Sequence, residues 1–113
     1  MVAAIAEVDV SAAHAALDAG AVLLDVREPE EWAAGHVPGA RHVPLGQLPG
    51  RLAEFDTSAR VVVVCRSGHR SALATEWLAA AGVDAANLVG GMQAWAGAGL
   101  AVATDDGRSG QVI

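Results

Sequence analysis

The sequence predicts one α/β domain with a central, mostly parallel sheet flanked by helices on both faces. Three observations carry that expectation. The chain has 113 residues, which is room for one domain and too little for two ordinary ones. Apolar, strand-like runs alternate along it with helix-like segments, as successive βαβ units do. One run, Arg60-Val-Val-Val-Val64, is β-branched without polar alternation, the mark of a strand buried on both faces.

The elements follow in order. Ser11 is a candidate cap for a short helix ending near Ala19, with Gly20 beyond it. Ala21 to Asp25 reads as a short buried strand. Pro29 suits the first turn of a helix over Glu30 to Ala34, whose acidic residues favour that end. Gly35 to Ala40 is a turn-rich connector, and Leu48 to Phe55 is helical with Pro49 marking its start. After the valine strand a helix runs from about His69 to Ala81. Leu73, Ala74, Trp77, Leu78 and Ala81 form its apolar face, and Gly82 its stop. Asn87 to Val89 is a last short strand, followed by Gly90-Gly91 and a helix through Trp95. The domain is expected over residues 5–103, with a polar, glycine-rich and flexible tail over 104–113.

Composition narrows the function. Apolar residues make up 53% of the chain, but alanine supplies much of that share, so Val, Leu and Trp must build the core. A chain of this length buries roughly 65% of its unfolded surface, enough for a core without staples. No stretch approaches the ~20 consecutive apolar residues of a membrane-spanning helix. Met1 to Val10 lacks the basic start and long apolar run of a secretory signal, so a cytoplasmic location is expected. A net charge of −6 argues against nucleic acid and acidic membrane surfaces as partners. All seven basic residues are arginine. The single cysteine excludes an internal disulfide and any Cys-x-x-Cys pair, and no two histidines have ligand spacing, so neither metal nor cofactor is expected.

Chemistry concentrates in Cys65-Arg66-Ser67-Gly68-His69-Arg70-Ser71, between the buried strand and the next helix. Parallel sheets bind ligands there, at the carboxyl ends of their strands. Loop amides and a helix N-terminus favour an anion, Arg66 and Arg70 add full charges, and Gly68 permits unusual backbone angles. A cysteine so placed is expected to ionise more readily than a free thiol and to attack a donor bound as an anion. The alternative is an anion-free turn around a half-buried, inert thiol.

Three stretches in this order resemble the rhodanese family of sulfurtransferases, across roughly residues 5 to 103. They are Asp25-Val26-Arg27-Glu28 with Glu31-Trp32; Gly35-His36-Val37-Pro38-Gly39-Ala40; and the loop Cys65 to Arg70 with the later Gly90-Gly91-Met92-Gln93-Ala94-Trp95. Trp32 departs from the tyrosine or phenylalanine usual in the family, a matter of packing. The resemblance implies a parallel sheet flanked by helices, a persulfide on Cys65, and donor oxygens held by the loop amides and arginines. The implied function is transfer of a sulfane sulfur to cyanide or a thiol, the acceptor being a small molecule or a protein. Two arginines and several amides suit a dianion, which favours thiosulfate as donor.

The remaining residues carry paired readings. Asp25 either orients Arg70 or caps the loop, or else starts the helix at Pro29. Arg27 and Glu31, four apart, are expected to pair across one helical turn. His36 is expected to bond backbone within its turn, His14 and His42 to lie at the surface, and His69 to touch donor or acceptor or merely occupy a tolerant position. The tryptophans are assigned to the core, Trp95 behind the double glycine. A cysteine phosphatase or arsenate reductase is the enzymatic rival, but such a loop needs five residues between cysteine and arginine, and here four separate Cys65 from Arg70. A partner-dependent sulfur carrier or persulfide-sensing module is the non-catalytic alternative.

Overall fold

The computed structural model describes residues 4–113. Five strands, β1 (Ala6–Val8), β2 (Val22–Asp25), β3 (Arg41–His42), β4 (Arg60–Val64) and β5 (Asp84–Leu88), form one sheet in the order β1-β5-β4-β2-β3. Every neighbouring pair is parallel. The helices α1 (Val10–Asp18), α2 (Pro29–Ala34) and α3 (His69–Ala80) and a 3-10 helix over Leu45–Glu54 connect them, and α4 (Gly91–Gly97) follows β5. The two strands not expected from sequence, β1 and β3, are three and two residues long at the sheet's edges, too short to leave a periodic signature.

The valine strand organises both cores. Val61 and Val63 face α3 and the 3-10 helix, packing with Leu48, Leu78 and Phe55. Val62 and Val64 face α1 and α4, packing with Ala13, Met92 and Trp95. All four valines are at most 1% exposed, and burial of each contributes roughly 1.5–3 kcal/mol. β4 therefore lies at the centre of the sheet and delivers Cys65 to its carboxyl edge.

Several boundaries move, each for a local reason. Asp9 rather than Ser11 caps α1, its Oδ1 accepting from the Ala12 amide at 2.8 Å. The segment containing Pro49 begins earlier, at Leu45, and is 3-10 rather than α; proline lacks the amide an α-helical interior requires, and 3-10 turns run in short pieces. On α3, Leu73 is 40% exposed, while the face turned inward carries Ser71, Ala74, Thr75 and Leu78. The C-terminal tail folds back on the domain: Gly110 donates to the Val102 carbonyl at 2.8 Å and Gln111 to that of Ala34 at 2.9 Å. Val112 packs on the α1–α4 core. No described helix is long and apolar enough to cross a membrane.

Candidate active site

Cys65 follows the last residue of β4, and the chain turns back over it into α3. The turn depends on Gly68, whose φ of +113° lies in the left-handed region that a side chain resists. It aims the Gly68 amide at Cys65 Sγ, 3.1 Å away. From beneath, the start of α4 holds the loop: the Met92 amide donates to the Cys65 carbonyl at 2.8 Å and the Gln93 amide to that of Arg66 at 3.1 Å. Gly91 makes this approach possible, because a Cβ there would come within 2.6 Å of the Arg66 oxygen. The double glycine is thus a support for the loop.

The sulfur is more enclosed than the sequence suggested, Cys65 being 1% exposed. Burial pushes its pKa up. The Ser71 hydroxyl and the amides of Ser71, Gly68 and Ser67 push it down once the sulfur is charged, and the net result lies below the ordinary thiol value. Acidity was expected partly from the two arginines; the hydroxyl and amides lead it, and Arg70 interacts with the thiolate through charge.

Both arginines have partners. Arg70 grips Glu31 in a forked pair, Nη1 to Oε1 at 2.6 Å and Nη2 to Oε2 at 2.8 Å, which lowers the Glu31 pKa to about 2. Arg66 projects into solvent, its Nε donating to the Ile113 main-chain oxygen at 3.0 Å. The Gln93 amide oxygen, turned toward Arg66, accepts from its guanidinium at 3.2 and 3.3 Å. Ser67 and His69 lie exposed on the rim of the loop.

The supporting pair is also rearranged. Arg27 reaches the Asp25 carboxylate, not that of Glu31, with Nε at 2.9 Å from Oδ1 and Nη2 at 2.7 Å from Oδ2. Asp25 neither orients Arg70 nor starts α2; Glu28 sits at that helix start. Further bonds from Arg27 to the main-chain oxygens of Glu31, at 3.3 Å, and Gly35, at 2.8 Å, tie the end of β2 to α2. Trp32 does not enter the core but lies stacked between His36 and His42, ring centroids 3.6 and 4.6 Å away. His36 bonds a main-chain carbonyl as expected, but that of Trp32 in α2 rather than one within its turn, and His42, expected at the surface, bonds that of Arg27.

Three residues enter the site in roles not expected from sequence. Glu31 holds Arg70, Ser71 lies 3.3 Å from the sulfur, and Asn87 on β5 contacts both Ser71 and the Gly68 carbonyl. Asn87 carried a usable signal, since a polar side chain in a short buried strand must find partners.

The geometry is thus a cysteine at the carboxyl edge of a parallel sheet, with the Gly68 amide donating to its sulfur and Arg70, paired with Glu31, on the helix that follows. The chain belongs to the rhodanese-like domain family, which matches residues 9–98. It is similar to the putative sulfurtransferase YtwF of Bacillus subtilis, 41% identical over 66% of this chain and 73% of that protein. The thiosulfate sulfurtransferase GlpE of Stutzerimonas stutzeri is 38% identical over 74% of this chain and 77% of its own. Among solved structures, a rhodanese-related protein of Thermoplasma volcanium superposes with a TM-score of 0.84 at 27% identity, covering 88% of this chain and 99% of that one.

Proposed function

We propose that the protein is a cytoplasmic sulfurtransferase that carries sulfane sulfur as a persulfide on Cys65, with thiosulfate as donor. The Cys65 thiolate attacks the outer sulfur of thiosulfate; a new S–S bond forms, the old one breaks, and sulfite leaves with its electron pair. Cyanide or a thiolate then attacks the terminal sulfur, and the Cys65 thiolate departs. The chain's one cysteine leaves no internal thiol to resolve the persulfide, so the acceptor comes from outside, as a small molecule or a sulfur-accepting protein.

In this reading Cys65 is the nucleophile, and the amides of Ser67, Gly68 and His69 with Arg70 receive the donor's oxygens. Arg66 contributes charge at the rim, and Asp25 with Arg27 shapes the wall. The observation that carries the proposal is the Gly68 amide 3.1 Å from Cys65 Sγ, at the mouth of a loop ending in Arg70. The test is intact-mass spectrometry before and after incubation with thiosulfate. One added sulfur atom is expected on the native protein and none on Cys65→Ser. An unchanged native mass sinks the proposal.

A further inference from the structure

The polar chain behind Cys65 has a direction that its fixed members reveal. The Gly68 carbonyl only accepts, so the Asn87 atom 3.2 Å from it is the amide nitrogen. Asn87 Oδ1, which also only accepts, therefore faces Ser71 Oγ, 2.6 Å away. A serine hydroxyl has one proton to give, and it lies on this bond. Cys65 Sγ, 3.3 Å from the same oxygen, consequently meets lone pairs rather than a donor. A protonated thiol suits that arrangement, since its S–H donates to Ser71. A thiolate does not. The hydroxyl must then turn to the sulfur and abandon Asn87, which is 3% exposed and has no solvent with which to replace the bond.

We propose that Asn87 is a positioning residue that accepts the Ser71 hydroxyl's hydrogen bond while Cys65 is neutral and gives up that bond, so that the hydroxyl donates to the sulfur, only when the thiolate forms. The role rests on the sulfur transfer proposed above. The hydroxyl turns toward Cys65 as the thiolate is released from its persulfide, and returns to Asn87 when the sulfur is again uncharged. Asn87 is thereby a competitor for the donor that would otherwise favour the thiolate, and it tempers the acidity of the cysteine. The charged and titratable groups around the loop are Arg70 on α3, Glu31 on α2 and Glu28 at its start, Asp25 and Arg27 at the end of β2, and the rim residues His69 and Arg66. Arg70 and Glu31 are paired with each other, as are Asp25 and Arg27, and the variants below alter none of these.

Alkylation by iodoacetamide across a pH series reports Cys65 alone, because it is the only cysteine. Asn87→Ala should lower the midpoint, with roughly threefold to tenfold faster alkylation at pH values below the native midpoint. Asn87→Asp, whose carboxylate holds the Ser71 proton more firmly and adds negative charge, should raise it. If Asn87 served only to brace the Gly68 peptide, both variants would misalign the amides and both midpoints would rise. A raised or unchanged midpoint in Asn87→Ala therefore overturns the proposal. Asn87→Leu, which refills the volume, carries the same expectation should the alanine variant fold poorly. In a Ser71→Ala background the Asn87→Ala change should move the midpoint no further; an undiminished shift there also overturns it. Alkylation needs no sulfur donor, so failure to load sulfur from thiosulfate and failure of this proposal are separate results.

Discussion

The Asp25–Arg27 and Glu31–Arg70 pairs each join a carboxylate to a guanidinium by two hydrogen bonds, side-on through Nε and Nη2 in the first and end-on through both Nη in the second. The side chains of the first are 1% and 0% exposed and those of the second 15% and 33%. Burial decides what each can do. Neither charge of the inner pair has water to fall back on, so each must keep the other, and the spare donors of Arg27 are spent on two main-chain oxygens. Such a pair fixes the junction of β2 and α2 and cannot take part in exchange. The outer pair lies beside the cysteine loop with solvent access. There an arriving anion can compete with Glu31 for Arg70 at modest cost, since exposed pairs are worth little. Under the proposed function, the two pairs thus divide scaffold from chemistry.

The most severe way to break this division is to remove one inner partner. Arg27→Ala leaves Asp25 charged and buried with only the main-chain amide of residue 27 as donor, and should cost about 3–5 kcal/mol of unfolding free energy in denaturant titrations. A loss below about 1 kcal/mol would mean that the inner pair is no more committed than an exposed one.

The outer arginine should register in catalysis instead. Arg70→Ala is expected to reduce kcat/KM for thiosulfate by roughly tenfold to a hundredfold, the worth of one or two charge-assisted hydrogen bonds. The loss should be smaller for a singly charged donor. Arg66→Ala should show the same preference more weakly, because its guanidinium already bonds Ile113 and Gln93 and stands in solvent. Steady-state kinetics with thiosulfate and mercaptopyruvate separate the cases. Equal losses with both donors would assign Arg70 to shaping the loop.

These pairs also show where the sequence could be read and where it could not. The valine strand, the loop after it and the double glycine were legible, because a buried parallel strand and a glycine-dependent turn leave local signatures. The arginine partners were not. Spacing of four residues suggested Arg27 with Glu31, and strand-end position suggested Asp25 with Arg70; the fold exchanges both. Intrahelical spacing governs pairs on one helix, but Arg27 precedes α2 and turns inward, leaving Glu31 for a residue 39 positions away. Ser71 and Asn87 were missed for a related reason, since their partnership crosses from α3 to β5. The docking of the tail depends on contacts with Ala34 and Val102 that polar composition does not announce.

The smallest expected effect gives the finest test of the outer pair, through pH. Arg70, by hydrogen bond and charge, holds the Glu31 pKa at about 2 against burial and below its ordinary 4.5. The sign follows from proton uptake. As pH falls, the unfolded chain protonates this carboxylate near 4.5 and the folded chain only near 2, so the unfolded state binds the extra proton between them. Stability from the pair is therefore complete above about pH 5 and is lost progressively as pH drops toward 2. With Arg70 one-third exposed, solvent screening limits the contribution to about 1 kcal/mol. Glu31→Gln removes the titrating group while keeping an acceptor for one hydrogen bond. Denaturant titrations of native protein and variant should differ by about that amount at about pH 6, and the difference should shrink as pH falls through the window. A difference that persists undiminished toward pH 2 would mean that packing, not charge, joins Glu31 to the loop, and the contrast between the two pairs would then rest on burial alone.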